Sequence, residues 1–294
     1  MLSIRGITKT YDNGVHALDD VTLDIAPGMF GLLGPNGAGK SSLMRTLATL
    51  QDPDRGSIRF DGLDLIANKD AARRLLGYLP QDFGVYPRVS AEDLLDHFAQ
   101  LKGFVRTGER REVVRAMLAQ VNLYDVRKQK LGTFSGGMRQ RFGIAQALIA
   151  RPRLLIVDEP TAGLDPEERN RFLDLLAAVG EQVVVLLSTH IVEDVTDLCP
   201  SMAILARGKV RMTGSPRDAV DALRGRVWSK VVPKGELDAH KATFEVLSTR
   251  LVAGRTQVHV HALEAPGAGF GAVEPGLEDV YFRVLRGDAG DGSA

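Results

Sequence analysis

The stretch Gly34-Pro35-Asn36-Gly37-Ala38-Gly39-Lys40-Ser41 follows an apolar run, Met29 to Leu33, and precedes a helical pattern over Ser42 to Leu50. A strand, a glycine loop and a helix start therefore come in that order. The spacing G-x-x-x-x-G-K-S is that of a phosphate-binding loop. Its glycines let backbone N–H groups turn inward around an anion, while the helix that follows presents its positive N-terminal end to the same point. Lys40 is expected to reach the β- and γ-phosphates of a nucleotide, and the Ser41 hydroxyl to ligate Mg²⁺. On this motif alone hydrolase, kinase and GTPase all stay open.

Composition narrows the classes. At 294 residues the chain is long enough for one large α/β domain plus a smaller one, or for two modest domains. Lys+Arg equals Asp+Glu at 37 each, so there is no overall basic field of the kind that captures nucleic acid, and a nucleic-acid partner is not expected. Cys199 is the only cysteine, which excludes an internal disulfide and a cysteine-based metal site. Residues Met1 to Gly6 lack the apolar region of a signal peptide, and the densest apolar runs, Leu154 to Val157 and Val183 to Leu187, are too short to span a bilayer. A cytosolic or peripheral protein is expected.

Along the chain, Leu2 to Ile7 and Val21 to Ile25 alternate apolar and polar side chains around the turn-rich Asp12-Asn13-Gly14, which predicts an antiparallel β layer ahead of the loop. Tyr11 ends the first strand, where an aromatic face can stack on a purine or simply pack. Strand follows over Gly56 to Phe60 and Leu75 to Leu79. Asn68-Lys69-Asp70 has its aspartate one position too early for the guanine-reading N-K-x-D pattern, so the GTPase reading loses its base-specific element. From Asp82 to Ala150 the pattern is helical, over Ala91 to Leu101, Gly108 to Val121 and Met138 to Ala150, as for a helical subdomain inserted in an α/β core. Within it Phe134-Ser135-Gly136-Gly137 opens a helix and offers naked amides to an anion, although an isolated Ser-Gly-Gly is an ordinary N-cap turn.

Leu154 to Glu159 reads as a buried parallel strand ending in two carboxylates, at the sheet edge where open α/β folds bind ligands. Asp158 suits a Mg²⁺-associated carboxylate and Glu159 a base that orients or deprotonates an attacking water. Val183 to Leu187 repeats the buried strand and delivers Ser188-Thr189-His190 to the same edge. A hairpin around Arg207-Gly208 and a helix over Pro216 to Leu223 close this part. After Gly225, strand-like Arg226 to Val232 and Thr256 to His261, a partly helical Glu236 to Leu251, a Gly/Pro-rich Ala265 to Gly276 and a helix over Leu277 to Leu285 suggest a small α+β appendage that is no part of the nucleotide site. In that helix Leu277, Val280, Tyr281 and Val284 form one apolar face, which must be buried against this subunit or its neighbour.

With these pieces in order, Leu2 to about Leu223 resembles the ATP-binding subunit of an ABC transporter. The resemblance implies a phosphate-loop NTPase core with an antiparallel β layer and an inserted helical subdomain. It places the ATP-binding domain at 1–224, with the helical subdomain at about 82–150, the α+β appendage at 225–286 and a flexible tail at 287–294. It assigns adenine stacking to Tyr11, phosphate binding to Gly34 through Ser42, and Mg²⁺ and water sensing plus coupling to Gln81. Ser135, Gly136 and Gly137 resemble the signature that closes over ATP held by a second subunit, and Gly163-Leu164-Asp165 resembles the D-loop. Asp158 and Glu159 match the acidic pair, and His190 the histidine that contacts the γ-phosphate and the reacting water. Lys40, Gln81, Glu159 and His190 are thus the expected catalytic residues, with Ser41, Gln81 and Asp158 around Mg²⁺. Phe134 stands where the signature commonly has leucine, and Ser41 where threonine is frequent, which keeps the hydroxyl.

Gln81 to Pro87 and Pro275 to Phe282 further resemble the branch that includes drug, antibiotic and polysaccharide exporters. The implied partners are a transmembrane permease, which the segment from Gln81 to Tyr86 would meet through Phe83, Val85 and Tyr86, and a second copy or a homologous subunit. The implied place is the cytoplasmic face of the membrane. Two competing functions are a soluble ABC-type mechanical ATPase on nucleic acid or ribosomes and a phosphate-loop kinase. The first usually shows a long coiled coil, two nucleotide domains in one chain or a basic field, and the second needs no Ser-Gly-Gly signature.

Overall fold

A computed structural model of the chain describes residues 1–81, 84, 86–181 and 183–290. In chain order the first elements are β1 (Leu2–Thr10), β2 (His16–Ile25), β3 (Gly28–Leu33), α1 (Lys40–Leu47), β4 (Arg55–Phe60), β5 (Leu63–Asp64), α2 (Lys69–Leu75) and β6 (Leu76–Leu79). Then come α3 (Ala91–Leu101), α4 (Thr107–Gln120), α5 (Gly136–Leu148), β7 (Leu154–Asp158), α6 (Pro166–Gly180), β8 (Val184–Thr189) and α7 (Val192–Leu198). The chain ends with β9 (Ser201–Ala206), β10 (Lys209–Gly214), α8 (Pro216–Asp221), β11 (Val227–Val232), α9 (Leu237–Thr243), β12 (Glu245–Val252), β13 (Arg255–His261), β14 (Gly271–Ala272) and α10 (Leu277–Gly290).

The expected β layer is the antiparallel sheet β2-β1-β4-β5. Its alternation of buried and exposed residues, as in Leu2, Ile4 and Ile7, fits a sheet with one covered face. The central sheet runs β10-β9-β3-β8-β7-β6, parallel from β9 through β6. All residues of β7 and β8 are buried, which explains why these strands read as unbroken apolar runs. One apolar cluster fills the space between this sheet, the β layer and α1; another joins its opposite face to α3 through α8. Among the described residues no helix is long and apolar enough to cross a membrane.

The C-terminal part differs from its expectation in two ways. Glu236 to Leu251 contains only the short helix α9, and from Glu245 onward it is strand β12, in a third sheet ordered β12-β13-β11-β14. The terminal helix runs past Leu285 through Gly290 into the stretch expected as tail, while residues 291–294 lie outside the described residues. A split at 224/225 would also separate this helix from the core. Instead Leu277, Val280 and Tyr281 are buried in the same cluster as Val195, Met202 and Ile204, because their apolar stripe meets α7, α8 and β9.

Polar side chains hold α10 from the other side. Asp279 is 1% exposed; its Oδ2 accepts a hydrogen bond from the Gly276 amide at 3.0 Å, and its Oδ1 lies 2.9 Å from His259 Nδ1 and 3.3 Å from the donating Ser248 Oγ. Arg250 of β12 pairs with Glu278, and Glu245 lies 3.7 Å from Arg283. Burial pushes the Asp279 carboxyl up, but the His259 hydrogen bond, the Gly276 amide and the charges of His259 and Arg250 outweigh it and hold the group below the ordinary aspartate value of 3.8.

A depressed carboxylate stabilises the fold above its unfolded pKa and loses that contribution as pH falls through its folded one. Asp279→Ala, which orphans three donors, is expected to lower unfolding stability by about 2–4 kcal/mol at neutral pH. In urea melts the deficit should be full above pH 3.8 and shrink below it. A pH-independent deficit would show that the loss is packing alone.

Candidate functional site

The turn after β3 is shaped by sterics. Gly39 has φ 103°, and a Cβ there would sit 2.2 Å from the Ala17 carbonyl oxygen of β2, so only glycine lets the loop close against the antiparallel layer. The loop is braced from behind by the β9–β10 turn, whose Gly208 amide donates to the Ala38 carbonyl at 2.9 Å. Lys40, the first residue of α1, is 4% exposed. Its Nζ donates to the Gly34 carbonyl at 2.7 Å and the Pro35 carbonyl at 3.2 Å, and lies 3.1 Å from Glu159 Oε1. These acceptors and one carboxylate satisfy a buried ammonium.

Parallel pairing brings the other chemistry to the same edge. Leu33 of β3 is level with Thr189 of β8, and Asp158 of β7 with Ser188. Glu159 leaves the strand in the left-handed region at φ 47°, with its amide donating to the Ser188 carbonyl at 2.9 Å. Its Oε2 lies 2.9 Å from Nδ1 of His190, whose side chain is 45% exposed. Asp158 is 2% exposed, and its Oδ1 has no hydrogen-bond partner. Burial pushes its carboxyl above the ordinary range; the hydroxyls of Ser188 and Ser41 oppose the shift, the charge of Glu159 adds to it and Lys40 opposes it. A buried carboxylate oxygen without a donor, beside a serine hydroxyl, is a donor set that fits a hard cation such as Mg²⁺.

An open cavity of about 460 Å³ lies in front of these groups, lined by Pro35, Asn36, Gly37, Ala38, Lys40, Ser41, Gln81, Glu159, Ala162 and His190. The structure thus brings together most of the sequence-expected residues, with Gly34 and Gly39 in the same loop. Asp158 sits behind Ser41 and does not line it, nor do Tyr11, Ser42, Ser135 to Gly137 or Asp165. The Tyr11 hydroxyl lies 3.0 Å from Ser42 Oγ and donates to Gln51 Oε1 at 3.1 Å, which places the ring beside the first turn of α1. Ser135 caps α5, its Oγ accepting from the Met138 amide at 3.2 Å. A Cβ on Gly137 would fall 2.2 Å from the carboxylate of Glu168, which pairs with Arg141, so α5 and α6 meet at the glycine turn. Asp165 caps α6, accepting from the Glu168 amide at 2.9 Å. Of the residues expected to meet a permease, Tyr86 is 65% exposed, while Phe83 and Val85 lie outside the described residues.

Sequence reading missed Asp194, Thr161 and Thr189, which meet in one buried hydrogen-bonded cluster behind the Glu159 and His190 turns. Asp194 gave no signal, because its partners Thr161 and Arg169 are distant in sequence. Gln51, which holds both Tyr11 and Ser42, carried no signal because its partners are distant in sequence.

Comparison with known proteins agrees with this geometry. The family model described as ABC transporter matches residues 18–162. The daunorubicin/doxorubicin resistance ATP-binding protein DrrA of Streptomyces peucetius is 34% identical over 269 residues, covering 91% of this chain and 79% of the relative. The linearmycin resistance ATP-binding protein LnrL of Bacillus subtilis is 32% identical over 266 residues, with 90% and 83% covered. Among solved structures, the ATP-binding cassette MJ0796, a dimer in a post-hydrolysis state bound to ADP and Pi, superposes with a TM-score of 0.67 at 26% identity, over 73% of this chain and 98% of that one. The strand–loop–helix phosphate site, the acidic end of β7, the histidine after β8 and these relatives lead to one conclusion: the chain belongs to the family of ABC transporter ATP-binding subunits, which are ATPases.

Proposed function

We propose that this subunit drives export of drug- or antibiotic-like molecules, seated on the cytoplasmic face of the membrane through a transmembrane permease. The names of its drug-resistance relatives support the direction and the cargo class. Two copies, or this chain and a homologous subunit, close head to tail over two ATP molecules. The observation that carries the composite site is that the phosphate-loop cavity is lined by Lys40, Ser41, Gln81, Glu159 and His190 but not by Ser135, Gly136, Gly137 or Asp165. Those residues sit on helix starts of the same chain and are left for a neighbour's nucleotide.

In the reaction the loop amides and the N-terminus of α1 hold the phosphates, and Tyr11 supports the adenine. Lys40 lies 3.1 Å from Glu159, so a phosphate bound in the loop would share the ammonium with that carboxylate. Glu159 then takes the proton of the attacking water, while His190, 2.9 Å from it, holds it in place and faces the γ-phosphate. Ser41, Asp158 and Gln81 would hold Mg²⁺, which when bound neutralises charge on the phosphate oxygens.

Glu159→Gln is expected to keep ATP binding while hydrolysis falls by at least about 100-fold, read by steady-state turnover beside equilibrium nucleotide binding. Parental turnover would remove Glu159 from the role of base. For Mg²⁺, Asp158→Asn should abolish the gain in ATP affinity that the ion gives and leave Mg²⁺-free binding within about threefold; an unchanged Mg²⁺ response places the ion elsewhere. Mixing Lys40→Ala subunits with Ser135→Arg subunits should yield a dimer with one site free of both lesions and the other carrying both. No ATP trapped by that mixture would count against shared sites.

A further inference from the structure

The chain leaves β7 through Glu159-Pro160-Thr161 and leaves β8 through Thr189-His190, and the two exits meet on a single carboxylate. Asp194, near the start of α7, has no solvent exposure. Its Oδ2 accepts from Thr161 Oγ1 at 2.6 Å and from Thr189 Oγ1 at 3.2 Å, and its Oδ1 accepts from Arg169 Nε at 2.8 Å. Thr161 is two residues beyond Glu159. Thr189 directly precedes His190, and its hydroxyl also accepts from the Ile191 amide at 3.0 Å, so one hydroxyl brackets the histidine on both sides. Arg169 stands on α6, its own amide donating to the carbonyl of the cap residue Asp165 at 2.9 Å.

Packing alone does not call for this arrangement. The neighbouring Val195 is fully buried and apolar, and an apolar residue at 194 would fill the same space without the desolvation of a charge. A buried carboxylate with a guanidinium and two hydroxyls fixes direction, which an apolar contact does not. Direction is what the adjacent residues need. Glu159 holds a left-handed backbone at φ 47°, a conformation that persists in a non-glycine residue only where the surroundings over-determine it. The Glu159 to His190 contact at 2.9 Å joins side chains from two different loops, so its length depends on how those loops are held relative to each other.

We propose that Asp194 is a positioning residue for hydrolysis: it locks the turn after Glu159, the turn around His190 and the start of α6 into one unit, so that the base and its histidine partner share a fixed geometry. The inference rests on Glu159 and His190 being the hydrolytic pair.

The test uses the full chain with Mg²⁺ and ATP. Asp194→Asn keeps the volume and removes the charge; kcat is expected to fall by at least about tenfold while KM for ATP and equilibrium ATP binding stay within about threefold. Asp194→Glu, whose carboxylate can still pair with Arg169, should recover part of kcat. Thr189→Val deletes one bond and should move kcat in the same direction without moving KM. Adding Asp194→Asn to Glu159→Gln should cause no further loss, because Asp194 acts through Glu159.

Parental kcat in Asp194→Asn overturns the proposal, as does a loss in which kcat and ATP affinity fall together, KM rises, and Asp194→Glu restores nothing. If Asp194→Asn does not fold, parental kcat in Thr189→Val overturns it. Parental turnover in Glu159→Gln refutes the reading of the base instead; a dead Glu159→Gln beside a fully active Asp194→Asn refutes only the role of Asp194.

Discussion

The parallel pairing of β3, β8 and β7 is the constraint on which the site depends. Strands that run the same way end at the same edge, so Leu33, Thr189 and Asp158 come out level, and whatever follows each strand converges. The phosphate loop lies more than a hundred residues in sequence from the acidic and histidine turns, and all three share one cavity because of that register. Parallel strands need crossovers, and the crossover between β3 and β7 is long enough to carry the β4–β5 strands and the helices α1 to α5. The signature turn therefore sits on a body joined to the catalytic edge through Gln81 and through the packing of α5 on α6 and β6.

Electrostatics at that edge is balanced among its own members. Lys40 and Glu159 are both nearly enclosed, and each meets the desolvation of the other. Asp158 lacks that pairing: burial raises its pKa, and one oxygen has no donor. The edge is internally compensated at Lys40 and Glu159 and uncompensated at Asp158.

What could be read in the sequence follows from the range of the interactions. The phosphate loop is local: its glycine spacing and flanking strand and helix lie within about twenty residues, so the placement of Lys40 and Ser41 at the head of α1 was legible. Asp158, Glu159 and His190 were legible because a fully buried parallel strand writes an unbroken apolar run and its last residue is conspicuous. Asp194 was not, since a carboxylate on a short helix looks solvent-facing until Thr161, Thr189 and Arg169 are seen to surround it. Tyr11 was picked out as an aromatic at a strand end, but its partners Ser42 and Gln51 depend on how the β layer folds back on α1.

The terminal helix shows the same limit from the other side. Its apolar stripe of Leu277, Val280 and Tyr281 was visible, and so was the need to bury it; the surface that takes it was not. That surface is the core beneath β9 and α8, and Asp279, Glu278 and Arg283 tie the helix equally to β12 and β13. Further along, Leu285 lines a cavity of about 220 Å³ together with Pro35 to Ala38, Ala206 and Arg207. The last helix thus bridges the third sheet and the core beneath β9 and α8. A segment that contributes no nucleotide motif is packed on the same core that carries β9, a strand adjacent to β3. Its mechanical separation from the site is therefore less than its separation in sequence suggests.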